Sequence, residues 1–321
     1  MTGRVLVTGG CGFIGVHLVA ALVHGAWRVT VLDDESAGAR AELGRLPVKY
    51  AGCDIRDAEG VTAAMAGQDA VVHLAARPDV ASALDDPGAT HEINVRGTIN
   101  VLEAARRHAV GHVVAASSGG TVIGRAGAPV HEATAPRPLS PLGASKAAME
   151  AYLHAYASSY GVATCAARLA NVYGPGGRHK ASAVLRFLRQ WRDGEPVSRR
   201  GDGSQSRDFV YVADVVEGIC RILDRGAQGV FQIGSGTPTS LDALLAQIAR
   251  TCGRTPAAIR PEPALSGEVH TTYCDISRAR TELGFAPATA LPDGLAATWR
   301  WVRDGEPLGD AIRRPVAVAT S

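Results

Sequence analysis

An apolar run, Val5-Leu6-Val7, breaks into Thr8-Gly9-Gly10-Cys11-Gly12-Phe13-Ile14-Gly15 and then continues with helical periodicity. Glycines at this spacing make a phosphate cradle at a strand-to-helix turn. Gly9 allows the tight turn, Gly12 lets backbone N–H groups approach a pyrophosphate, and Gly15 lets the helix pack close. Phe13 and Ile14 open that helix, whose N-terminal N–H groups hold partial positive charge against an anion. A second apolar run, 28–32, ends in Asp33, where a carboxylate can hold the hydroxyls of an adenosine ribose. The glycine loop has no lysine or arginine to welcome a 2′-phosphate, and Asp33 repels one, so the expected dinucleotide is NAD.

Further chemistry-bearing residues fall at the ends of later strand-like runs. Asp54-Ile55 follows the run 48–51 and can flank an adenine ring. His73-Leu74-Ala75-Ala76 closes the run 70–74, its small residues leaving room for the middle of a dinucleotide. Ser117-Ser118-Gly119-Gly120-Thr121 closes the run 112–116, where cofactor and substrate should meet. The chain's basic residues are nearly all arginines, so Lys146 stands out among its three lysines, with Lys49 and Lys180.

The elements that must position these residues alternate between strand and helix patterns. Helical periods at 61–65, 93–107 and 144–159 separate the strand runs, the last of which is 163–169. This order predicts an α/β fold, a doubly wound parallel Rossmann sheet with ligands beyond the C-terminal strand ends, joined to a smaller C-terminal α/β substrate lobe. The expected division is 1–169 for the dinucleotide domain, with returning segments near 209–234. The substrate lobe is expected at 170–208 and 235–305, and a flexible tail at 306–321. Asn171-Val172-Tyr173-Gly174-Pro175 reads as a turn-rich exit from the sheet. Later helices are expected at 181–191, 215–223, 241–251 and 295–304, with a strand at 230–233 and a loop at 261–267.

With 321 residues, 46% hydrophobic content and a formal charge of +2, the chain can bury a large core and lacks the basic stripe that nucleic acid demands. Its expected partners are small molecules. It opens directly into a strand with no signal-peptide pattern, and no run of 18 apolar residues appears, so a cytoplasmic protein is expected. The six cysteines, Cys11, Cys53, Cys165, Cys220, Cys252 and Cys274, have no CxxC pairing or nearby ligand spacing. They are expected to be reduced core residues, with no metal site.

Taken together, the chain resembles the extended short-chain dehydrogenase/reductases, specifically the NAD-dependent nucleotide-sugar epimerase/dehydratase family. The resemblance runs from Val5 to about Leu283. It rests on the glycine loop, His73-Leu74-Ala75-Ala76, Asn94-Val95-Arg96-Gly97-Thr98, Gly143-Ala144-Ser145-Lys146, Asn171-Val172-Tyr173-Gly174-Pro175 and Arg207-Asp208-Phe209, all in family order. It implies that Asn94, Ser117 and Lys146 join the cofactor residues above. It also implies that Asn171 and Arg207 hold the substrate's diphosphate; a guanidinium fork suits phosphate. Two stretches depart from the family: Leu265-Ser266-Gly267-Glu268, counted with the substrate residues through Glu268, lacks the usual second phosphate-binding arginine, and Arg199-Arg200 stand where an aromatic or aliphatic residue commonly lines the base pocket, leaving Arg200 to stack on a base, to replace the missing phosphate contact or to be a solvated loop arginine.

The family's reaction removes a proton from a sugar hydroxyl while hydride leaves the same carbon. Its usual base is the tyrosine of Tyr-xxx-Lys, helped by a Ser or Thr at the end of the fifth strand. Here Leu142 stands at the tyrosine position and Gly119 at the Ser/Thr position. Leucine cannot move a proton. The groups left for a relay are Ser118, Thr121, and Lys146 itself or a water it holds.

Two activities from different classes follow. One is an NAD-dependent 4-epimerase of a nucleotide sugar, UDP-sugar by default, acting through a transient 4-keto sugar; the Gly119-Gly120-Thr121 segment lacks the acid/base carboxylates of dehydratases. The other is a binding protein that keeps both sites without the chemistry, with an atypical dehydratase or oxidoreductase also open. The resemblance further implies a homodimer through the helices at 93–107 and 144–159, with Ala147, Met149, Tyr152 and Tyr156 available for packing.

Overall fold

A computed structural model describes residues 3–176, 182–263, 269–305 and 308. In chain order the elements are β1 (Arg4–Thr8), α1 (Phe13–His24), β2 (Arg28–Asp33), β3 (Lys49–Gly52), α2 (Ala58–Met65), β4 (Ala70–His73), α3 (Val80–Asp85), α4 (Pro87–His91), α5 (Gly97–Arg107), β5 (His112–Ser118), α6 (Gly119–Ile123), α7 (Pro141–Tyr160) and β6 (Thr164–Leu169). There follow β7 (Asn171–Tyr173), α8 (Ala183–Asp193), β8 (Val197–Arg200), β9 (Ser206–Tyr211), α9 (Val212–Arg225), β10 (Gly229–Ile233), β11 (Pro238–Ser240), α10 (Leu241–Cys252), β12 (Ile259–Glu262), β13 (Thr271–Thr272) and α11 (Leu291–Asp304).

Seven strands form one parallel sheet in the order β10-β6-β5-β4-β1-β2-β3. Its strands are apolar on both faces, as a sheet covered on both sides requires. Period-two alternation divides them cleanly. Val5, Val7, Val72 and Val114 pack with Leu18 and Leu22 of α1 and Ile219 and Ile222 of α9, whereas Leu6, Val71 and Val113 pack with Met65 of α2, Leu102 of α5 and Met149 and Leu153 of α7. This is the doubly wound Rossmann arrangement expected from the sequence. The order reverses beside β1, between β1 and β4, so a crevice opens at the C-terminal strand ends there.

Helix α7 carries the Lys146 segment, and its ends are fixed by local chemistry. Ser140 caps its start by accepting the Gly143 N–H at 3.2 Å, Pro141 occupies the first helical position, and Gly161 closes it in the left-handed conformation. Its length places Leu142 and Lys146 on one buried face, one turn apart.

After β6 the chain also builds two smaller sheets from short strands that sequence periodicity did not resolve. β9 sits between β11 and β13 and also pairs with β7, while β8 and β12 form a separate parallel ribbon. The expected turn-rich exit therefore begins as β7, and the loop expected at 261–267 begins inside β12; its residues 264–268 lie outside the described residues. The expected helix 93–107 is a π-helical turn, Glu92–Arg96, running into α5. The proposed tail, 306–321, lies outside the described residues except Leu308, which is buried.

One expectation is corrected. Met149 and Tyr156 are not on a docking face: both are buried in the subunit, and the Tyr156 hydroxyl donates to Glu103 at 2.7 Å. On α7 the exposed side shows Ala144, Ala151, Tyr152 and Ala155 instead. All six cysteines are free thiols. No described helix is long and apolar enough to cross a membrane, and among the described residues no cluster of His, Cys, Asp and Glu could hold a metal.

Candidate active site

The cradle after β1 is shaped by what its glycines exclude. Gly9 has φ of 69°, and a Cβ there would lie 2.6 Å from the Ala75 nitrogen; a Cβ on Gly15 would strike the Gly9 carbonyl. Gly12 differs. A Cβ there would meet only the Gly9 oxygen, at 3.2 Å, so its other side is open. Gly12 is also the N-cap of α1 and offers no capping side chain, which leaves the first-turn N–H groups for an anionic ligand.

Asp33 closes β2 beside this loop. One carboxylate oxygen accepts the Cys11 N–H at 2.9 Å and the other accepts the Glu35 N–H at 2.8 Å, which fixes the carboxylate with lone pairs remaining for ribose hydroxyls. Burial raises its pKa and the two backbone donors oppose that. Sequence reading missed Tyr50, whose hydroxyl donates to the Asp33 carbonyl and to Glu35 and so braces the same corner. These residues fit an NAD adenosine and pyrophosphate. The prediction that arises is selectivity: NAD should bind roughly 10²-fold or more tighter than NADP, because juxtaposed like charges cost several kcal/mol. Titration by fluorescence checks it, and equal affinities would refute it.

Of the remaining cofactor candidates, Leu74, Ala75 and Ala76 line the chain just beyond β4, held there by a buried relay. Thr98 donates to the Asn94 carbonyl at 2.6 Å, so it accepts from His73 Nε2 at 3.1 Å; His73 Nδ1 then accepts the Thr8 hydroxyl at 2.7 Å, and Thr8 in turn accepts the Ala75 N–H. His73 is neutral, its pKa pushed down to about 3 by burial and by the charge of Lys146. Asp54 is held by the Arg56 guanidinium, which lowers its pKa, and Ile55 is buried against Gly97. Asn94 uses both amide hydrogens on Arg77 and Ser145 and one carbonyl lone pair on the Arg77 N–H, which binds the π-helical turn to α7.

At the end of β5 two adjacent serines part company. Ser117 turns inward, donating to Glu150 at 2.5 Å, and Glu150 forms a buried ion pair with Arg168 at 2.7 Å. Ser118 faces a cavity of about 230 Å³, where it shares the walls with Gly120, Thr121, Asn171, Arg207 and Thr272. Its hydroxyl also accepts the Thr121 N–H at the start of α6. Lys146 is buried and donates to the Ala116 carbonyl at 2.8 Å. Burial pushes its pKa down to about 8, with Glu150 one turn along opposing the shift. Leu142 is buried on the same face, 5% exposed.

Arg207 also lines the cavity, and it donates from Nη1 to the Ser206 and His270 carbonyls at 2.8 and 2.9 Å. Asn171 stands exposed at the start of β7. Arg200 pairs with Glu262 of the neighbouring strand β12 at 3.4 Å. Glu268 lies outside the described residues. Sequence reading passed over Asp208, a buried carboxylate on the cavity wall. It accepts from the Ser235 N–H and hydroxyl, the Gly236 N–H and the Cys274 N–H, and so ties β9 to the β10–β11 loop and to the chain after β13.

This geometry has close parallels. Residues 5–234 match the model of the NAD dependent epimerase/dehydratase family. A UDP-glucose 4-epimerase of Mycolicibacterium smegmatis is 36% identical over 313 residues, covering 94% of this chain and 99% of that protein. A dTDP-glucose 4,6-dehydratase of Streptomyces griseus is 35% identical over 314 residues, covering 94% of each. The structure of the Thermus thermophilus UDP-glucose 4-epimerase in complex with NAD superposes with a TM-score of 0.89 at 34% identity, covering 94% of this chain and 100% of that one. The Thermotoga maritima UDP-glucose 4-epimerase with UDP-glucose gives 0.90 at 32% identity, covering 94% and 99%. A cradle that only glycine can form, a carboxylate fixed at the end of β2 and a buried lysine beside β5 agree with that match over most of the chain, which belongs to the NAD-dependent epimerase/dehydratase family.

Proposed function

We propose that the chain is an NAD-dependent nucleotide-sugar 4-epimerase, with a UDP-sugar as its default substrate and a transient 4-keto sugar as its intermediate. The observation that carries this is the cavity wall. Ser118, Thr121 and Arg207 all line it, and the described carboxylate on it, Asp208, is already saturated by four donors. A dehydratase needs carboxyl acid/base groups that can exchange protons with the sugar. Epimerisation needs oxidation, turning of the keto sugar, and reduction from its other face.

NAD supplies the hydride acceptor and donor. The chain's own residues must hold the dinucleotide and the sugar and move one proton. Gly9, Gly12 and Gly15 with the start of α1 take the pyrophosphate; Asp33 takes the adenosine ribose; Lys146 has two N–H groups beyond the one on Ala116 for the second ribose or a water. The proton passes through Ser118 or Thr121 to solvent, or to the Lys146 amine. Among the described residues, Ser118 keeps its O–H free to donate and the buried Thr121 hydroxyl has no partner.

If the amine is the base, only its neutral form works. Turnover should therefore rise with pH through about 8 and level off above it, and Lys146→Met should abolish that limb. A flat profile from pH 6 to 10 would rule the amine out. Incubating the protein with NAD and UDP-glucose, UDP-galactose or their N-acetylated and uronic counterparts, then separating the stereoisomers, tests the proposal directly. The second reading, binding without chemistry, is favoured by the buried Leu142 at the base position. It predicts tight ligand binding and no conversion in the same incubation.

Under this proposal the protein works in the cytoplasm as a homodimer, joined by the exposed alanines and Tyr152 of α7, which is 39% exposed. Light scattering at micromolar concentration should give twice the 33.3 kDa chain mass. A monomer would refute the interface.

A further inference from the structure

Two residues of α1, one helical turn apart on one face, meet the turn that follows β7. Phe13, in the first turn of the helix, lies against Gly176: a Cβ on that glycine would stand 3.2 Å from the Phe13 ring. His17, four residues on, meets the Phe13 ring edge-on at 6.0 Å between centroids, and its Nε2 lies 2.9 Å from the Pro175 carbonyl oxygen. A carbonyl only accepts, so Nε2 is the nitrogen that carries the hydrogen. Desolvation pushes the pKa of this imidazole down to about 4, which keeps the ring neutral with that single N–H.

The turn on the other side of this contact is held just as closely. Gly176 has φ of 95°, and the 3%-exposed Leu308 would stand 3.2 Å from a Cβ there, so Gly176 sits between Leu308 and Phe13. A Cβ on Gly174 would meet Val212 at 2.6 Å. The turn continues directly from β7, whose first residue, Asn171, lines the cavity. β7 pairs with β9 from Asn171 opposite Phe209 to Tyr173 opposite Tyr211, and β9 carries Arg207 and Asp208, which line the cavity too. At its own start α1 is capped by Gly12 without a side-chain bond, which leaves its first-turn N–H groups to an anion. The helix that receives the pyrophosphate therefore also grips the chain that leaves the cavity.

Resting on the nucleotide-sugar reading, we propose that His17 is a positioning residue that couples the two sites: through its hydrogen bond to Pro175, NAD on the start of α1 and the nucleotide sugar in the cavity strengthen each other's binding. The pyrophosphate orders the turn of α1 that holds Phe13 against Gly176. The nucleotide sugar orders β7 and β9, and with them the turn at Pro175. Two ligands that favour the same ordered junction bind cooperatively, because the second meets an element the first has already fixed.

Calorimetric titration of the full chain, freed of nucleotide, tests this with NAD, UDP and dTDP. Saturating NAD should tighten UDP or dTDP by about 5-fold or more, and saturating UDP or dTDP should tighten NAD by the same factor, as linkage requires. His17→Met removes the donor and keeps a side chain of similar size. It should leave the affinity for each nucleotide alone nearly unchanged and erase most of the coupling factor, which a purely structural role would not move. His17→Gln returns an amide N–H at similar reach and should restore the factor. Leu308→Ala loosens Gly176 from the other side and should lower the factor as well, so a His17→Met variant that does not fold still leaves a measurement. The proposal is overturned if wild type binds each nucleotide equally with and without the other. It is overturned too if His17→Gln behaves as His17→Met, or if folded His17→Met, or Leu308→Ala in its stead, keeps the wild-type factor. Wild type that binds NAD and neither UDP nor dTDP overturns the nucleotide-sugar reading and this coupling with it, a result distinct from the others.

Discussion

Arg168→Met should destabilise the fold by about 3–5 kcal/mol, the usual consequence of removing one partner from a buried ion pair. The guanidinium of Arg168 donates from Nε and Nη2 to the two oxygens of Glu150 at 2.9 and 2.7 Å, and from Nη1 to the Glu132 carbonyl. Both side chains are nearly sealed from water, at 4% and 9% exposure. Without Arg168, Glu150 would keep, among the described residues, only the Ser117 hydroxyl as a partner, and an uncompensated carboxylate would sit one turn from Lys146. Two results should follow. Urea unfolding should show the lost stability, and the pKa of Lys146 should rise, because the Glu150 charge that favours its ammonium form would no longer be balanced. Arg168→Met/Glu150→Leu should recover most of the stability, since replacing both partners of a buried pair with apolar groups is often near neutral. A loss below about 1 kcal/mol in the single variant would show that water or another residue reaches Glu150 and that the pair is not the support of this site.

That ion pair also shows where sequence reading ends. The glycine loop and Asp33 were legible because their chemistry is local: spacings of three residues at a strand-to-helix turn have one geometric meaning, and the parallel sheet follows from alternating periods. Ser117, Glu150 and Arg168 lie on β5, α7 and β6, and no spacing along the chain announces that three polar residues on three elements share one charge network. Asp208 reads as the neighbour of an arginine, yet its partners come from 235–236 and 274. Gln232 reads as one polar residue in a late strand, and only the register of β10 against β6 brings it behind Gly119. The smaller sheets were harder still. Strands of two or three residues, such as β13 and β11, are shorter than the window in which alternation can be detected, and they exist because β9 offers them edges. Met149 and Tyr156 fail for a related reason: helical spacing shows that residues share a face, and not which neighbour covers it.

Leu142→Tyr should raise epimerase turnover by roughly 10²-fold or more, the scale of a recovered general base. The supporting geometry is already present. Leu142 lies in the first turn of α7, and its carbonyl accepts the Ser145 hydroxyl at 2.8 Å, so the backbone there is held independently of the side chain. Lys146 follows one turn later on the same buried face, its amine anchored on Ala116 with two donors free to lower the pKa of a phenol. The obstacle is space. Leu142 is 5% exposed, and a phenol needs a polar opening for its hydroxyl. The cavity beside Ser118 and Thr121 supplies one only if the ring turns toward it, and a variant that cannot turn should report itself by a lowered melting temperature. Turnover is measured by separation of the stereoisomers, with NAD and UDP-sugar affinities taken in parallel. A folded variant that binds both ligands and shows no gain would mean that the missing tyrosine does not limit this protein. In that case the proton moves through Ser118, Thr121 or Lys146 at a rate the phenol cannot improve, or the site binds its nucleotide sugar without turning it over.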